Sequence, residues 1–450
     1  MHTRIDVGAA IDDSTTSAFQ IRVFVLCFLV ALCDGFDTQA LAYIAPVIAS
    51  DWQLPARVFG PVFAAVLLGA MIGAFAFGHL ADRIGRRRVL LLCVVLFGVL
   101  SVASAFAWSI EALAVIRFLC GLGLGGAVPN IMALVSEYAP ARRRRTWVAI
   151  TLAGIAVGAV LAGMVCLPLI TLFGWRFIFV VGGVLPLGLA LVLVRALPES
   201  IGFLVAEPDG QTTIASILRQ IDPRGGFKDS DTFALPAAPA HRGSFASLFR
   251  DGLAVGSVCL ALAFFSSLLL VYLFTSWIPM LLHQAGLPLH DAVLGAIVFN
   301  LAGMAGGIVC TQLVDRGLAH PVVVLVVAYL LGAVAVLSIG VSGMAFGPIM
   351  AAISFSGFCV IGGQLALNAH IAGYYPVAVR GTGIGWSQVV GRMGSLLGPL
   401  VGGALVALEI PPAQLFQVSC VAPLLSCAAL LAFALLSRHV RDAGPRRSLP

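Results

Sequence analysis

Apolar runs of roughly 20 residues, the length needed to cross a bilayer, recur along the whole chain, and nothing else in the sequence restricts its fold as much. A large buried core would also use apolar residues, but the unbroken length of these runs points to lipid. Composition agrees. Soluble domains carry about 25% charged residues, whereas this chain of 450 has 10% charged and 60% hydrophobic residues, too little charge to coat a water-facing surface. In lipid every backbone N–H and C=O must be satisfied within the chain, so helices are the default spans. The period-2 alternation of a barrel strand is absent. The expected fold is an all-α polytopic membrane protein with 12 transmembrane helices, at 22–48, 58–80, 88–107, 112–137, 146–172, 175–195, 252–282, 291–313, 321–341, 344–374, 380–407 and 413–436.

The basic residues set the orientation. With the amino terminus assigned to the cytoplasm, 22 of the 26 Lys and Arg fall in cytoplasmic segments, among them Arg86 to Arg88, Arg142 to Arg145 and the tail arginines from Arg438 to Arg447. Only Arg57 and Arg176 fall outside, and Arg117 and Arg392 fall within spans. That asymmetry is the positive-inside pattern, and it places both termini inside. Residues 196–251 hold Pro198, Pro208, Pro223, Pro236 and Pro239 with mixed charges, so they read as a cytoplasmic linker. The domains expected are a tail at 1–21, a six-helix bundle at 22–195, the linker at 196–251, a second six-helix bundle at 252–436 and a tail at 437–450. Two six-helix halves suggest the internal repeat common in secondary transporters. The string Leu80-Ala81-Asp82-Arg83, ending span 2, is echoed by Leu313-Val314-Asp315-Arg316, ending span 8.

Several classes are disfavoured. The ten cysteines lie in apolar runs without a CxxC pair, so neither a disulfide framework nor a metal site is implied. Residues 1–20 are polar and the first apolar run is too long for a signal peptide. The net charge of +6 sits beside the spans, which favours a bilayer over a nucleic-acid partner. No HExxH or GxSxG constellation is present, which argues against an intramembrane enzyme.

Four charges lie deep in spans: Asp34 and Asp37 in span 1, Arg117 in span 4 and Arg392 in span 11. Each would cost about 2.5–3.5 kcal/mol or more facing lipid at mid-helix, so each must face protein or a wet cavity. At about 1.5 Å rise per residue, depth allows all four to share one central cavity. Asp34 and Asp37 are spaced i, i+3 and share a helix face. Two close carboxylates repel while a nearby arginine steadies them, so the set can gain or lose a proton as its surroundings change. The alternative is an inert ion pair locking spans 1 and 4. Arg392 is the anion candidate, because a guanidinium binds a carboxylate with two parallel hydrogen bonds. Trp386 and Gln388 lie near it, and the surrounding glycines leave room. Tyr43, Asn130, Tyr272, Trp277, Asn300, Gln364 and Asn368 are candidates to line a cavity, the rings stacking on an aromatic substrate and the amides bonding hydroxyls.

Gly78-His79-Leu80-Ala81-Asp82-Arg83-Ile84-Gly85-Arg86-Arg87-Arg88 fits GxLaDrxGRrr, and Arg117 to Gly125 fits RxxxGxGxG. Both resemble signatures of the major facilitator superfamily, which implies its fold. The superfamily's antiporter pattern GxxxGPxxGG is missing from span 5 but stands in span 11 as Gly394 to Gly403, which favours symport over efflux. Finer resemblance comes from Asp34-Gly35-Phe36-Asp37; Gly125 to Asn130 and Glu137-Tyr138-Ala139-Pro140; Gly174-Trp175-Arg176; Gly363-Gln364 through Asn368 and Tyr375-Pro376; and Arg380 to Trp386 through Gly391-Arg392. Together these resemble the aromatic acid:proton symporter family, which imports benzoate-like or hydroxycinnamate-like acids for catabolism.

The resemblance implies import of an aromatic carboxylic acid by proton symport across the cell inner membrane through alternating access. It implies that Asp34, Asp37, Arg117 and Arg392 are required. It implies gating roles for Asp82, Arg83, Gly85, Arg86, Glu137 and Arg380, and for Asp315 with His320 between spans 8 and 9. Arg316-Gly317-Leu318-Ala319 departs from the family's regular turn there. No cofactor is expected beyond the proton as coupling ion, and a monomer is the expected state. A carrier of non-aromatic anions, a drug exporter and a non-transporting membrane sensor remain the alternatives at this stage.

Overall fold

The structure, a computed structural model, describes residues 4–207, 209–235, 245–249, 253–342, 345–376 and 379–442. The long apolar runs are helices throughout: α2 (Ala18–Asp51), α3 (Phe59–Ile84), α4 (Arg86–Ser104), α5 (Ile110–Tyr138), α6 (Ala141–Phe173), α7 (Trp175–Ala196), α10 (Leu253–Gln284), α11 (Leu289–Asp315), α12 (Pro321–Val341), α13 (Phe346–Tyr374), α14 (Arg380–Ala407) and the final pair α15 (Pro412–Ser419) and α16 (Val421–Asp442). Among the described residues these supply 12 spans long and apolar enough to cross a membrane. Shorter elements are β1 (Arg4–Asp6), α1 (Val7–Asp13), α8 (Ile201–Ala206), α9 (Gly210–Ile221) and β2 (Thr232–Ala234).

The breaks between helices follow local chemistry. Gly85 separates α3 from α4 at φ 98° and Gly174 separates α6 from α7 at φ 80°, in left-handed backbone that favours glycine. Ser109 caps α5 by accepting the Ala112 N–H at 3.2 Å, satisfying one of the first-turn donors.

The chain forms two compact units, residues 1–44 with 65–240 and residues 45–64 with 241–450. In the first, α4 packs on α5 and α7, and α6 on α5 and α7. Glycines bring α5 against α3: a Cβ on Gly121 or Gly125 would strike the carbonyls of Val66 and Ala70. The second unit pairs α10 with α14, α11 with α13 and α12 with α13. Residues 45–64 join it because Gly60 meets Gly403, a built Cβ lying 3.1 Å from its Cα, and Phe63 meets Trp277 edge-on at 5.7 Å.

The segment expected as a cytoplasmic linker carries short elements of its own. In the first unit α8, α9 and β2 fold together, and β1 pairs in parallel with β2 in the register Arg4 to Thr232, Ile5 to Phe233 and Asp6 to Ala234. The apolar face of α9, with Ile214, Ile217, Leu218 and Ile221, is buried, and α1 adds Val7 and Ile11. The amino-terminal segment then reaches α6. Asp12 accepts the Ala141 N–H at 2.6 Å, and Arg142 donates to the Ser14 carbonyl at 2.7 Å. Residues 236–244 and 250–252, and the tail from 443 with Arg446 and Arg447, lie outside the described residues.

Candidate functional site: a buried ion pair and an exposed arginine

In the first unit, α2 carries Asp37, α5 carries Arg117 and α4 carries Ser101, and the three side chains meet in the protein interior. Asp37 is 1% exposed, and Arg117 and Ser101 are fully buried. The Arg117 guanidinium grips the carboxylate with both arms, Nη2 to Oδ2 at 2.6 Å and Nη1 to Oδ1 at 3.2 Å, and Nη2 also donates to the Asp37 carbonyl at 3.2 Å. The Ser101 hydroxyl donates to Oδ1 at 2.5 Å. The Cys120 thiol donates to Oδ2 at 3.5 Å. Beneath the pair the guanidinium lies 5.4 Å from the Phe179 ring centre, a favourable cation–π distance. Four groups able to donate converge on this one carboxylate, whose acceptor-only ionised form can take all of them. Arg117 Nε is buried without a hydrogen-bond partner among the described residues.

Asp34 lies one turn earlier on α2, 7% exposed, where Thr38 donates to its Oδ1 at 3.3 Å. Asp37 and Arg117 thus form the tight pair, with Asp34 one turn away and bonded by Thr38. Ser101 and Phe179 were not legible beforehand. A lone serine in an apolar run marks nothing by itself, and only its approach to an acid from another helix reveals it.

Arg392 lies in the second unit, on α14. It is exposed and makes no side-chain hydrogen bond or ion pair with the described residues. The glycines around it serve a different face. A Cβ on Gly394 would strike the Phe265 carbonyl, and on Gly398 it would lie 2.5 Å from the Leu269 carbonyl oxygen, so they press α14 against α10. Facing lipid at mid-span this cation would cost about 2.5–3.5 kcal/mol or more, so its exposure suits a wet surface better than a lipid one.

The other candidates divide. Gln388 donates to the Asn368 Oδ1 at 3.1 Å, so those two amides form a polar pair across α14 and α13 in Arg392's own unit. Gln364 is buried and Tyr272 half-buried. Trp386 stacks edge-on to Phe245 at 5.4 Å and Phe249 at 5.9 Å, and these rings, from the segment leading into the second unit, take up its aromatic faces. Trp277 is fully buried, with its N–H donated to the Pro399 carbonyl at 3.0 Å, and presents no surface to a ligand in this conformation. Asn130 and Asn300 each donate back to the carbonyl four residues earlier, and Tyr43 donates to the Ala159 carbonyl, so all three are engaged in packing.

The gate candidates form one connected cluster and several separate placements. Arg86 pairs with Glu137 at 2.7 Å. The second Glu137 oxygen accepts from the Ser200 hydroxyl at 2.7 Å and the Gly202 N–H at 3.3 Å. Glu199, unmarked by any motif, accepts the Arg87 N–H at 2.8 Å, and its carboxylate fills the space a Cβ on Gly85 would need. Asp82 and Arg83 are exposed and make no side-chain hydrogen bond or ion pair with the described residues. Of the basic and acidic residues in this turn it is Arg86 that reaches Glu137, because the turn at Gly85 aims α4's first residues at α5. Arg380 donates to the Tyr375 carbonyl at 3.3 Å. Asp315 and His320 line a separate cavity of about 790 Å³ with His370, and His320 caps α12 by accepting the Val322 N–H.

Twelve apolar spans among the described residues, with a buried ion pair in one unit and an exposed arginine on a span of the other, define a polytopic membrane protein. Comparison with known proteins makes the class specific. Residues 27–364 match the Major Facilitator Superfamily. The chain is 38% identical over 414 residues to a gallate transporter of Pseudomonas putida, covering 92% of each. It is 36% identical over 443 residues to the 4-hydroxybenzoate transporter PcaK of Pseudomonas aeruginosa, covering 98% of each. A solved D-xylose-proton symporter superposes with a TM-score of 0.70 at 17% identity, covering 92% of this chain and 97% of that one, which shows the shared fold. The chain belongs to the Major Facilitator Superfamily, a family of transporters and not of enzymes, and within it to the branch of these aromatic-acid carriers.

Proposed function

We propose that this protein imports an aromatic carboxylic acid together with a proton, by alternating access, across the cell inner membrane. Both termini are assigned to the cytoplasm on the distribution of lysine and arginine. The observation that carries the substrate class is Arg392, a guanidinium on a transmembrane helix that is unbonded among the described residues, in a chain 31–38% identical to transporters named for gallate, 4-hydroxybenzoate and benzoate. A carboxylate supplies the missing partner, and the nearby Gln388–Asn368 pair offers amide groups to ring hydroxyls.

The coupling ion is assigned to the acids of α2. Protonating Asp37 would cancel the charge that holds Arg117, so proton uptake and the grip of α2 on α5 depend on each other. Asp34 adds a second acid one turn away. Co-loading of proton and anion neutralises the charges each would otherwise leave uncompensated, which lowers the cost of closing over them.

The test is uptake into proteoliposomes of labelled 4-hydroxybenzoate, gallate and benzoate, against a non-aromatic acid, with and without an imposed inward proton gradient. Concentrative uptake of one or more aryl acids that collapses with a protonophore is the expected outcome. Arg392→Gln should raise the KM for the aryl acid about 10- to 100-fold, the worth of a charge-assisted hydrogen-bond pair, while the amount of inserted protein stays near wild type. Wild-type KM in that variant, or uptake indifferent to the gradient, would remove the reading.

A further inference from the structure

We propose that Ser101 is a positioning residue for proton coupling: its hydroxyl turns between two acceptors and so satisfies Asp37 in both of its protonation states. The proposal rests on the proton-coupled reading above. Ser101 is fully buried on α4, and its Oγ lies between two oxygens on different helices, Asp37 Oδ1 at 2.5 Å and the Phe179 carbonyl at 3.3 Å. A hydroxyl has a single proton to donate and two lone pairs to accept with. In the structure the shorter contact takes that proton, and the charged carboxylate holds it.

The same atoms support a second arrangement without moving any backbone. When a proton from the aqueous phase adds to Asp37 Oδ1, a new O–H bond forms there and the carboxyl becomes a donor. Ser101 Oγ then accepts from it, and the serine proton rotates to the Phe179 carbonyl. The Ser101–Asp37 bond reverses direction while the serine donates to the Phe179 carbonyl instead, so neither the hydroxyl nor the carboxyl is left without a partner, which matters where an unmet polar group is costly. Arg117 Nη1 is the donor that loses hold of Oδ1, which loosens α5 from α2. The charged and titratable groups around Asp37 are Arg117 and Cys120 on α5 and Cys33 and Asp34 on its own helix. From α4 and α7 the described neighbours are neutral, Ser101 itself and the Phe179 carbonyl, with Gly182 close enough that its Cβ would lie 3.5 Å from Oδ1.

The experiment compares Ser101→Ala, Ser101→Thr and wild type for aryl-acid uptake across external pH, in parallel with infrared difference spectra of proton binding in the reconstituted carrier. Ser101→Ala should move the pH midpoint of uptake toward the alkaline side by about half to one unit, because the charge-assisted bond it removes is the stronger of the two. Ser101→Thr, which keeps the hydroxyl, should restore the wild-type midpoint. The carboxylic-acid C=O band that disappears in Asp37→Asn should shift in Ser101→Ala and return in Ser101→Thr. A serine that only packs would lower uptake at every pH and leave the midpoint in place, and that result overturns the proposal. So does a wild-type spectrum without an Asp37-dependent band while uptake still follows pH; this reading stays available even if Ser101→Ala fails to fold. Wild-type uptake independent of pH would instead defeat the symport reading itself.

Discussion

At the scale of single residues, Asp37 and Arg117 decide the character of the first unit. Two unit charges removed from water are tolerated only when geometry is good and other donors complete the shell, and here Ser101 and Cys120 do so. Removing one partner leaves the other buried and uncompensated. Arg117→Gln is therefore expected to lower unfolding stability by about 3–5 kcal/mol as well as to abolish transport. Thermal unfolding of the purified variant in detergent checks the first half, and a melting temperature equal to wild type would show that the pair contributes little to folding. The residues of this pair were legible in the sequence because a charge inside an apolar run must find its partner within the protein or a wet cavity. Ser101 was not, since a hydroxyl in a span commonly bonds its own helix. Trp386 and Trp277 misled for the opposite reason: aromatic rings beside glycines suit a ligand site and a tight helix crossing equally well, and only the crossing partners Phe245, Phe249, Phe63 and Pro399 distinguish the two.

At the scale of elements, close helix crossing depends on small residues, and α14 shows it most clearly. Gly394, Gly398 and Gly402 face α10 at spacings of four, each where a Cβ would meet backbone or the Trp277 ring. Gly398→Val is expected to cost about 1–3 kcal/mol through overpacking, read as a lower yield of monodisperse protein in gel filtration with the proton-binding spectrum of the first unit unchanged. Equal yield would mean that α14 can shift outward at no cost. This string matches a pattern associated with antiporters, yet its physical work here is packing within one unit, so its presence carries little about transport direction. The twelve spans were readable to within a few residues because hydropathy sums over 20 positions and one ambiguous residue changes nothing. The elements α8, α9, β1 and β2 were not, because each is short and depends on partners far away in sequence.

At the scale of the whole molecule, the amino-terminal segment ties β2 and α9 to the start of α6. Its pieces are small: three strand pairs, the buried Val7 and Ile11, and the Asp12, Ser14 and Thr16 contacts with residues 141–143. Ile5→Pro removes a backbone donor from the middle of β1. It is expected to free the region around the exposed Arg224 and Lys228, giving about five- to thirty-fold faster tryptic cleavage there for one or two kcal/mol of lost local stability. Digestion of wild type and variant in the same detergent, followed by mass spectrometry of the fragments, measures it. Identical rates would mean the strand pair holds nothing in place.

That strand pair also has a consequence for how the chain is made. Residues 4–6 leave the ribosome well before their partners at 232–234, which follow only after six spans have been synthesised. At roughly 5–20 residues per second, β1 waits about ten to forty-five seconds for its mate. Closure of that pair therefore reports that the first half of the protein has been delivered, and a pause in translation before residue 232 would leave the leading end unsecured for the whole of the delay.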